Sequence, residues 1–318
     1  MANEYPLVQA AQVTSEENYS TVIRNMIQEE NPLLDMLPIV PVPMGNNQHG
    51  WWEETSQGSA ATRAINGSWT PSYARFIPKT ASLTIFGGEI KWDVQIPRLY
   101  GDRMPNFLQQ QADAKARATY RKIEENLYEG DPAVDPNTFQ GFRILAGERG
   151  MEFDMSGTGS TDATELTLAK LDEVLDAVWG NPFINCNQWT RRKINALMRT
   201  AGQSREMVDG GFGRQFESYA GVPIVINQRR NDLTTILGFD EDPGDGGDDS
   251  ASLYVVNPIG PEEDQGVHVI IGAGSAFEAY GLGEDWDNPQ EKSRLEATVG
   301  LVHKGNRGLA RLRAIGQI

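Results

Sequence analysis

Between Glu89 and Ile96 the chain alternates strictly, with Ile90, Trp92, Val94 and Ile96 set against Glu89, Lys91, Asp93 and Gln95. A period of two predicts a strand with one apolar row laid against a partner. That strand closes a long extended stretch, His49 to Ile96, in which nothing nearby supplies a core. Four of the seven tryptophans (Trp51, Trp52, Trp69 and Trp92) lie in or beside it, diluted by Gly, Ser, Thr, Gln and Asn through the tract Ser56 to Ser68. Loops of that length are rare inside compact domains, so the segment is expected to be disordered or held by another molecule.

Upstream, Thr14 and Glu17 have the spacing of a capping box, and Tyr19, Val22, Ile23, Met26 and Ile27 form a short apolar stripe that Asn31-Pro32 ends. Such a helix is too short to stand alone. The strip Leu33 to Pro43 is apolar but punctuated by proline, which bars it from the inside of a sheet. Residues 1–47 therefore read as an arm. Downstream, Asn106 to Glu129 predicts the longest helix, with Pro105 in its first turn and Gly130-Asp-Pro132 as a stop. Its stripe of Leu108, Ala112, Ala116, Tyr120, Ile123 and Leu127 is narrow, so the helix should lie across a sheet and not be buried all round. At 1.5 Å per residue it would be roughly 36 Å long.

From Thr138 the pattern becomes compact α+β. Leu166 and Leu171 bracket Thr167 as a hydrophobic staple around an N-cap, and Leu168, Leu171, Leu175 and Val178 continue that helix. Phe183 to Cys186 reads as a short buried strand, and Asn187 as the cap of a helix carrying Ile194, Leu197, Met198 and Ala201. Three more apolar strands follow at Gly221 to Ile226, Leu253 to Val256 and Val267 to Ile271. The chain closes on alternating Leu295, Ala297, Val299 and Leu301, a turn at Lys304 to Arg307, and Leu309 to Ile315, an apparent hairpin.

With 318 residues and 39% hydrophobic content the chain can bury a sizeable core in one large domain or two ordinary ones. No window approaches the roughly 18 apolar residues of a membrane span, and the N-terminus lacks signal-peptide character. A single cysteine, Cys186, excludes an internal disulfide and a cysteine-based zinc cage, and fits folding inside a cell. A formal charge of −16 argues against a protein whose main task is to grip phosphate backbones. Six of the ten residues Asp240 to Asp249 are acidic and the others are Pro or Gly, the composition of a solvated loop.

Candidate chemistry is sparse. His49, His268 and His303 form no ligand pair and sit beside no recognisable nucleophile, so they read as structural or exposed. Cys186 lacks any local signature and reads as an inert buried thiol. Asp240, Asp242 and Asp245 resemble the start of a calcium loop, but Ala251 stands where a bidentate Glu is needed. Gly272-Ala-Gly274 and Gly281-Leu-Gly283 complete no phosphate-binding pattern. No catalytic set, cofactor or metal is expected, and a chain of this size without one most often works by binding.

An arm containing Asn31-Pro-Leu-Leu-Asp-Met-Leu-Pro38, a long two-stranded excursion, one long helix, and an α+β region containing Asn181 to Thr190 and Phe216 to Ile226 follow in that order. This order resembles the major capsid protein of tailed bacteriophages, the Hong Kong 97 type, over nearly the whole chain. The resemblance implies an α+β capsid fold: arm 1–47, extended loop 48–92, peripheral domain 93–162 and 274–318 around a spine helix at about 106–129, and axial domain 163–273. It implies a shell of pentamers and hexamers enclosing phage double-stranded DNA, assembled in the host cytoplasm, with DNA contacted non-specifically. A separate scaffolding protein is expected, together with a portal and a possible decoration protein.

On that resemblance the uncovered apolar residues Ile23, Met26, Leu33, Leu34, Trp51, Trp52 and Trp69 are the expected subunit-interface residues. Some members weld the shell with a lysine–asparagine isopeptide bond. Lys79, Lys91 and Asn306 are the residues such a bond would use here, though no motif ties them together. The alternatives are an encapsulin-like nanocompartment, a soluble α+β enzyme built around the acidic tract, and a tail or decoration component.

Overall fold

The computed structural model describes residues 32–43, 47–95, 104–156, 162–202, 206–209, 215–227, 229–244, 246–247, 249–272, 278–284 and 288–317. The proposed helix carrying Ile23 and Met26, and the end of the alternation at Ile96, lie outside these residues. Among the described residues no helix is long and apolar enough to cross a membrane.

The proline-punctuated strip is not left uncovered. It forms α1 (Pro32–Met36) and β1 (Ile39–Pro41), and Leu33, Leu34, Leu37 and Val42 are all buried. Leu33, Leu34 and Leu37 share one face of a helical turn and join the chain's main core beside Val225, Ile236 and Leu237. The expectation that Leu33 and Leu34 wait for a neighbouring subunit is therefore corrected. A single turn of helix is enough to bring all three leucines inward. β1 runs parallel to β11 (Gly266–Ile271) at a sheet edge, where Pro41 removes no ladder bond from the interior.

β2 (Gln48–Ser56) and β3 (Arg75–Ser82) pair as an antiparallel hairpin, and β4 (Thr84–Asp93) follows after one residue. The predicted alternation holds in β4, where Phe86 and Trp92 are buried and Glu89 and Lys91 exposed. The strand ends at Asp93, before Val94. β4 is antiparallel to β13 (Gln290–Lys304), which also pairs with β12 (Glu278–Glu284) and β11. Residues 291–296 pair with both β4 and β12, and Val299 with both β4 and β11. β4 must therefore occupy one edge of β13, while β12 and β11 share the other end to end.

The long helix, α2 (Met104–Glu129), packs on β4 and β13. At 26 residues it spans about 39 Å. Ala112 and Ala116 are half-buried, as a helix lying on a sheet requires. Its last three turns differ from expectation. Thr119, Tyr120, Ile123, Glu124, Asn126, Leu127 and Tyr128 are all buried, because α3 (Phe142–Glu148) and a second sheet close over the other side.

That sheet has seven strands in the order β5 (Glu152–Asp154), β14 (Leu309–Gly316), β10 (Ser250–Val256), β6 (Phe183–Cys186), β9 (Val222–Ile226), β8 (Gln215–Tyr219), β7 (Glu206–Asp209). Its strands alternate between two cores. Phe183, Val225, Tyr254, Val256 and Leu309 face α2 and α3, whereas Ile184, Cys186, Ile224, Leu253, Val255 and Leu312 face α4 (Leu168–Ala177) and α5 (Gln188–Thr200). Both predicted caps are present: the Thr167 hydroxyl accepts from the Lys170 amide, and the Asn187 carboxamide oxygen from the Thr190 amide at 2.7 Å. The C-terminal hairpin is not. β13 belongs to the five-stranded sheet, and β14 crosses to pair with β10 and β5 in the seven-stranded one.

Candidate functional site

The β2–β3 hairpin stands out because its two faces differ in chemistry. His49, Trp51 and Glu53 alternate with Gly50, Trp52 and Glu54, and only the first set is half-buried. In register, Trp52 faces Pro78 and Glu54 faces Phe76. The outward face therefore shows Trp52, 70% exposed, beside Phe76, with more than half of its surface exposed. Beyond the strands the excursion 57–74 is exposed throughout and carries Ile65 at 94%, Tyr73 at 85% and Trp69. Large apolar side chains left in water are costly, and their clustering on one projection is the mark of an association surface.

The excursion has some internal order. The Arg63 guanidinium stacks over the Trp69 ring at 5.5 Å and donates to the Gly67 carbonyl, and the Ser72 hydroxyl donates to the Ser59 carbonyl. These few local bonds shape a loop without building a core.

The hairpin's inward face is fastened to the body. Arg149, just past α3, grips both carboxylate oxygens of Glu53 at 2.5 and 2.9 Å and donates to the Asn306 carboxamide oxygen at 3.1 Å. Both charged side chains are largely buried, and the two-pronged geometry fixes the angle of the hairpin as well as its place. Trp51, Ala81 and Leu83 pack on Val42, Ile270 and Val302. A cavity of about 250 Å³ on one side of the hairpin is lined by Trp51, Lys79, Glu148, Arg149 and His303. One of about 400 Å³ on the other is lined by Trp51, Trp52, Phe76, Asp264, Lys304 and Asn306.

Of the residues singled out from sequence, the structure gathers Trp51, Trp52 and Trp69 on the hairpin and its excursion, and puts Leu33 and Leu34 in the core. Lys79 faces the 250 Å³ cavity and Asn306 the 400 Å³ one, while Lys91 is paired with Glu89 at 3.5 Å on β4. No hydrogen bond joins either lysine to Asn306 among the described residues. Sequence reasoning missed Glu53 and Arg149, and it named the three histidines without bringing them together. His49 lies edge-on to His268 with ring centres 6.0 Å apart, and His303 is the strand partner of Val267, next to His268. Their separation along the chain hides this; only strand register brings them together.

The remaining candidate chemistry is accounted for structurally. Burial pushes the Cys186 thiol up to about 12. In the acidic tract Asp240 pairs with Arg230, Glu241 with Arg311, and Asp242 accepts from the Gly244 and Gly246 amides. Among the described residues there is no cluster of three His, Cys, Asp or Glu side chains able to hold a metal ion.

A sequence model of the SU10 major capsid protein matches residues 6–240. The chain belongs to that family. This SU10-type capsid protein is a structural, self-assembling component of a viral capsid. No curated protein sequence matches it. Its fold is that of Hong Kong 97-type capsid and encapsulin chains. It is similar to a chain of the holo-SrpI encapsulin complex from Synechococcus elongatus PCC 7942 at TM-score 0.63 and 15% identity, covering 91% of this chain and 89% of that one. A chain from Mycobacterium phage Bobi gives 0.57 and 13%, covering 88% of each. A capsid chain of the native GTA particle gives 0.54 and 14%, covering 89% of each.

Proposed function

We propose that this capsid protein forms the closed shell that encloses double-stranded phage DNA, and that the β2–β3 hairpin with its excursion is the surface by which one subunit grips the next. The family match supports the first statement. The outward-facing Trp52, Phe76, Ile65, Trp69 and Tyr73, together with the firm attachment of the hairpin's other face, support the second. Covering such a projection by a neighbour removes apolar area from water at roughly 25 cal/mol per Å². A contact between unlike surfaces of identical chains closes into rings, and pentamers and hexamers are the proposed units. The net charge of −16 limits adhesion of packaged DNA to the wall.

The spine helix of the fold is assigned to α2, its peripheral unit to α2 with the five-stranded sheet, and its axial unit to the seven-stranded sheet with α4 and α5. A portal, a separate scaffolding protein and a decoration protein are proposed partners on the resemblance to tailed-phage capsids alone. The likeness to an encapsulin favours one second reading, a shell around protein cargo. Electron microscopy of native particles, with nuclease treatment before extraction of their contents, tests both. Closed shells holding nuclease-protected double-stranded DNA are expected. Shells holding a protein and no nucleic acid would replace the phage reading, and a small discrete oligomer at every concentration and salt would overturn shell formation.

A further inference from the structure

We propose that the root of the hairpin is an acid-operated latch, in which proton uptake by His268 and His49, facing each other across the seam between β11 and β2, releases the hairpin from the body. His268 is completely enclosed, and neither of its ring nitrogens has a hydrogen-bond partner among the described residues. It stands opposite Val302 and two residues from Ile270, on the sheet face that Trp51, Ala81 and Leu83 of the hairpin region cover. The hairpin is thus the cover of this histidine. His49, on that cover, presents its ring to His268 on one side and stacks on Trp51 on the other.

The charged groups around the seam favour the uncharged rings. Lys304 of β13 bears on both histidines, Lys79 of β3 and Arg149 beyond α3 line the neighbouring cavity, and no ion pair reaches either histidine among the described residues. The carboxylate on the hairpin's inner face, Glu53, is held by Arg149, and Asp264 lies with Lys304 on the far cavity. His303 points to the opposite sheet face, toward Arg149. A charged His268 here would meet His49 and Lys304 under apolar cover, with no ion-pair partner among the described residues to settle it. Opening the seam is the remaining way to hydrate it.

The direction of the effect follows from linkage. In the docked state burial first, then Lys304, lowers His49 below its ordinary value and brings His268 down to about 4, with His49 adding to the lowering of His268. Released into water, both return toward about 6.5. The docked state therefore binds fewer protons, is fully stable above the ordinary histidine range, and weakens as pH falls toward the docked values. His268 contributes up to about tenfold in the docking constant per pH unit, and His49 adds in the same direction.

Hydrogen exchange of the full chain in its unassembled form, corrected for the intrinsic pH dependence of exchange, tests the latch. Protection of residues 48–56 and 75–82 is expected to fall between about pH 6.5 and pH 4.5 with a slope approaching one proton from His268 and a smaller addition from His49, while β6 and β10 stay protected. His268→Leu should remove most of that slope, His49→Gln a smaller part, and the double variant all of it. If His268→Leu fails to fold, His268→Gln, which keeps a polar side chain but no titrating ring, should flatten the slope in the same way. Unchanged protection of the hairpin down to pH 4.5 overturns the proposal. So does a slope that survives both substitutions.

Discussion

Trp51 and Trp52 are consecutive in the chain and opposite in fate: one packs under the hairpin against Val42, Ile270 and Val302, the other projects into solvent. Leu33, as apolar and directly after Pro32, is fully enclosed. The three residues predict different mutational outcomes. Leu33→Ala should lower stability by about 2–5 kcal/mol in denaturant unfolding, since it opens a cavity in the main core. Trp52→Ala should change unfolding by no more than about 0.5 kcal/mol yet slow or abolish shell formation followed by light scattering. A large loss of stability in Trp52→Ala would put this side chain in a core and remove it from the interface. Cys186, buried and with its thiol held at about 12, should resist alkylation in the native protein and react readily once the chain is unfolded in denaturant.

At the scale of elements, the excursion and the hairpin that carries it are separable from the fold. Ser56 is the register partner of Arg75, so residues 57–74 can be replaced by the two-residue turn Asn-Gly without disturbing either strand. The shortened chain is expected to melt within a few degrees of the parent and to form no closed shells; closed shells from it would show that the excursion is dispensable. Much of this layer was legible in the sequence. The alternation of β4, the caps Thr167 and Asn187 and the α2 stripe are local signals, set by residues within a turn or two of one another. What escaped detection was non-local. Leu309 to Ile315 looks like the return strand of a hairpin, but β14 carries buried residues on both faces, and such a strand fits either sheet equally well by pattern. The deeper burial of α2 near its end was hidden because Glu124 and Asn126 are polar and lie off the apolar stripe. The attachment of the hairpin was hidden because Glu53 and Arg149 lie 96 residues apart.

For the whole molecule, two cores share one sheet, since alternate residues of β6, β9, β10 and β14 belong to different clusters. The two halves of the chain are thus bound through common strands, which favours a rigid building block whose adjustable part is the projection. No motif ties Lys79 or Lys91 to Asn306, and assembled shells boiled in SDS are expected to run as a single monomer band; ladders of covalent multimers would show that Lys79 or Lys91 meets Asn306 of a neighbour.

The shared use of β13 also sets how the shell would bear tension. A neighbour that pulls on the excursion draws on β3, and one residue later on the first residue of β4. From there the strain spreads over ten paired positions between Thr84 and Asp93, backed on the far side of β13 by β11 and β12. Pressure from within would thus load a long ladder of bonds that must yield together, starting one residue past Leu83, which helps cover the histidine seam.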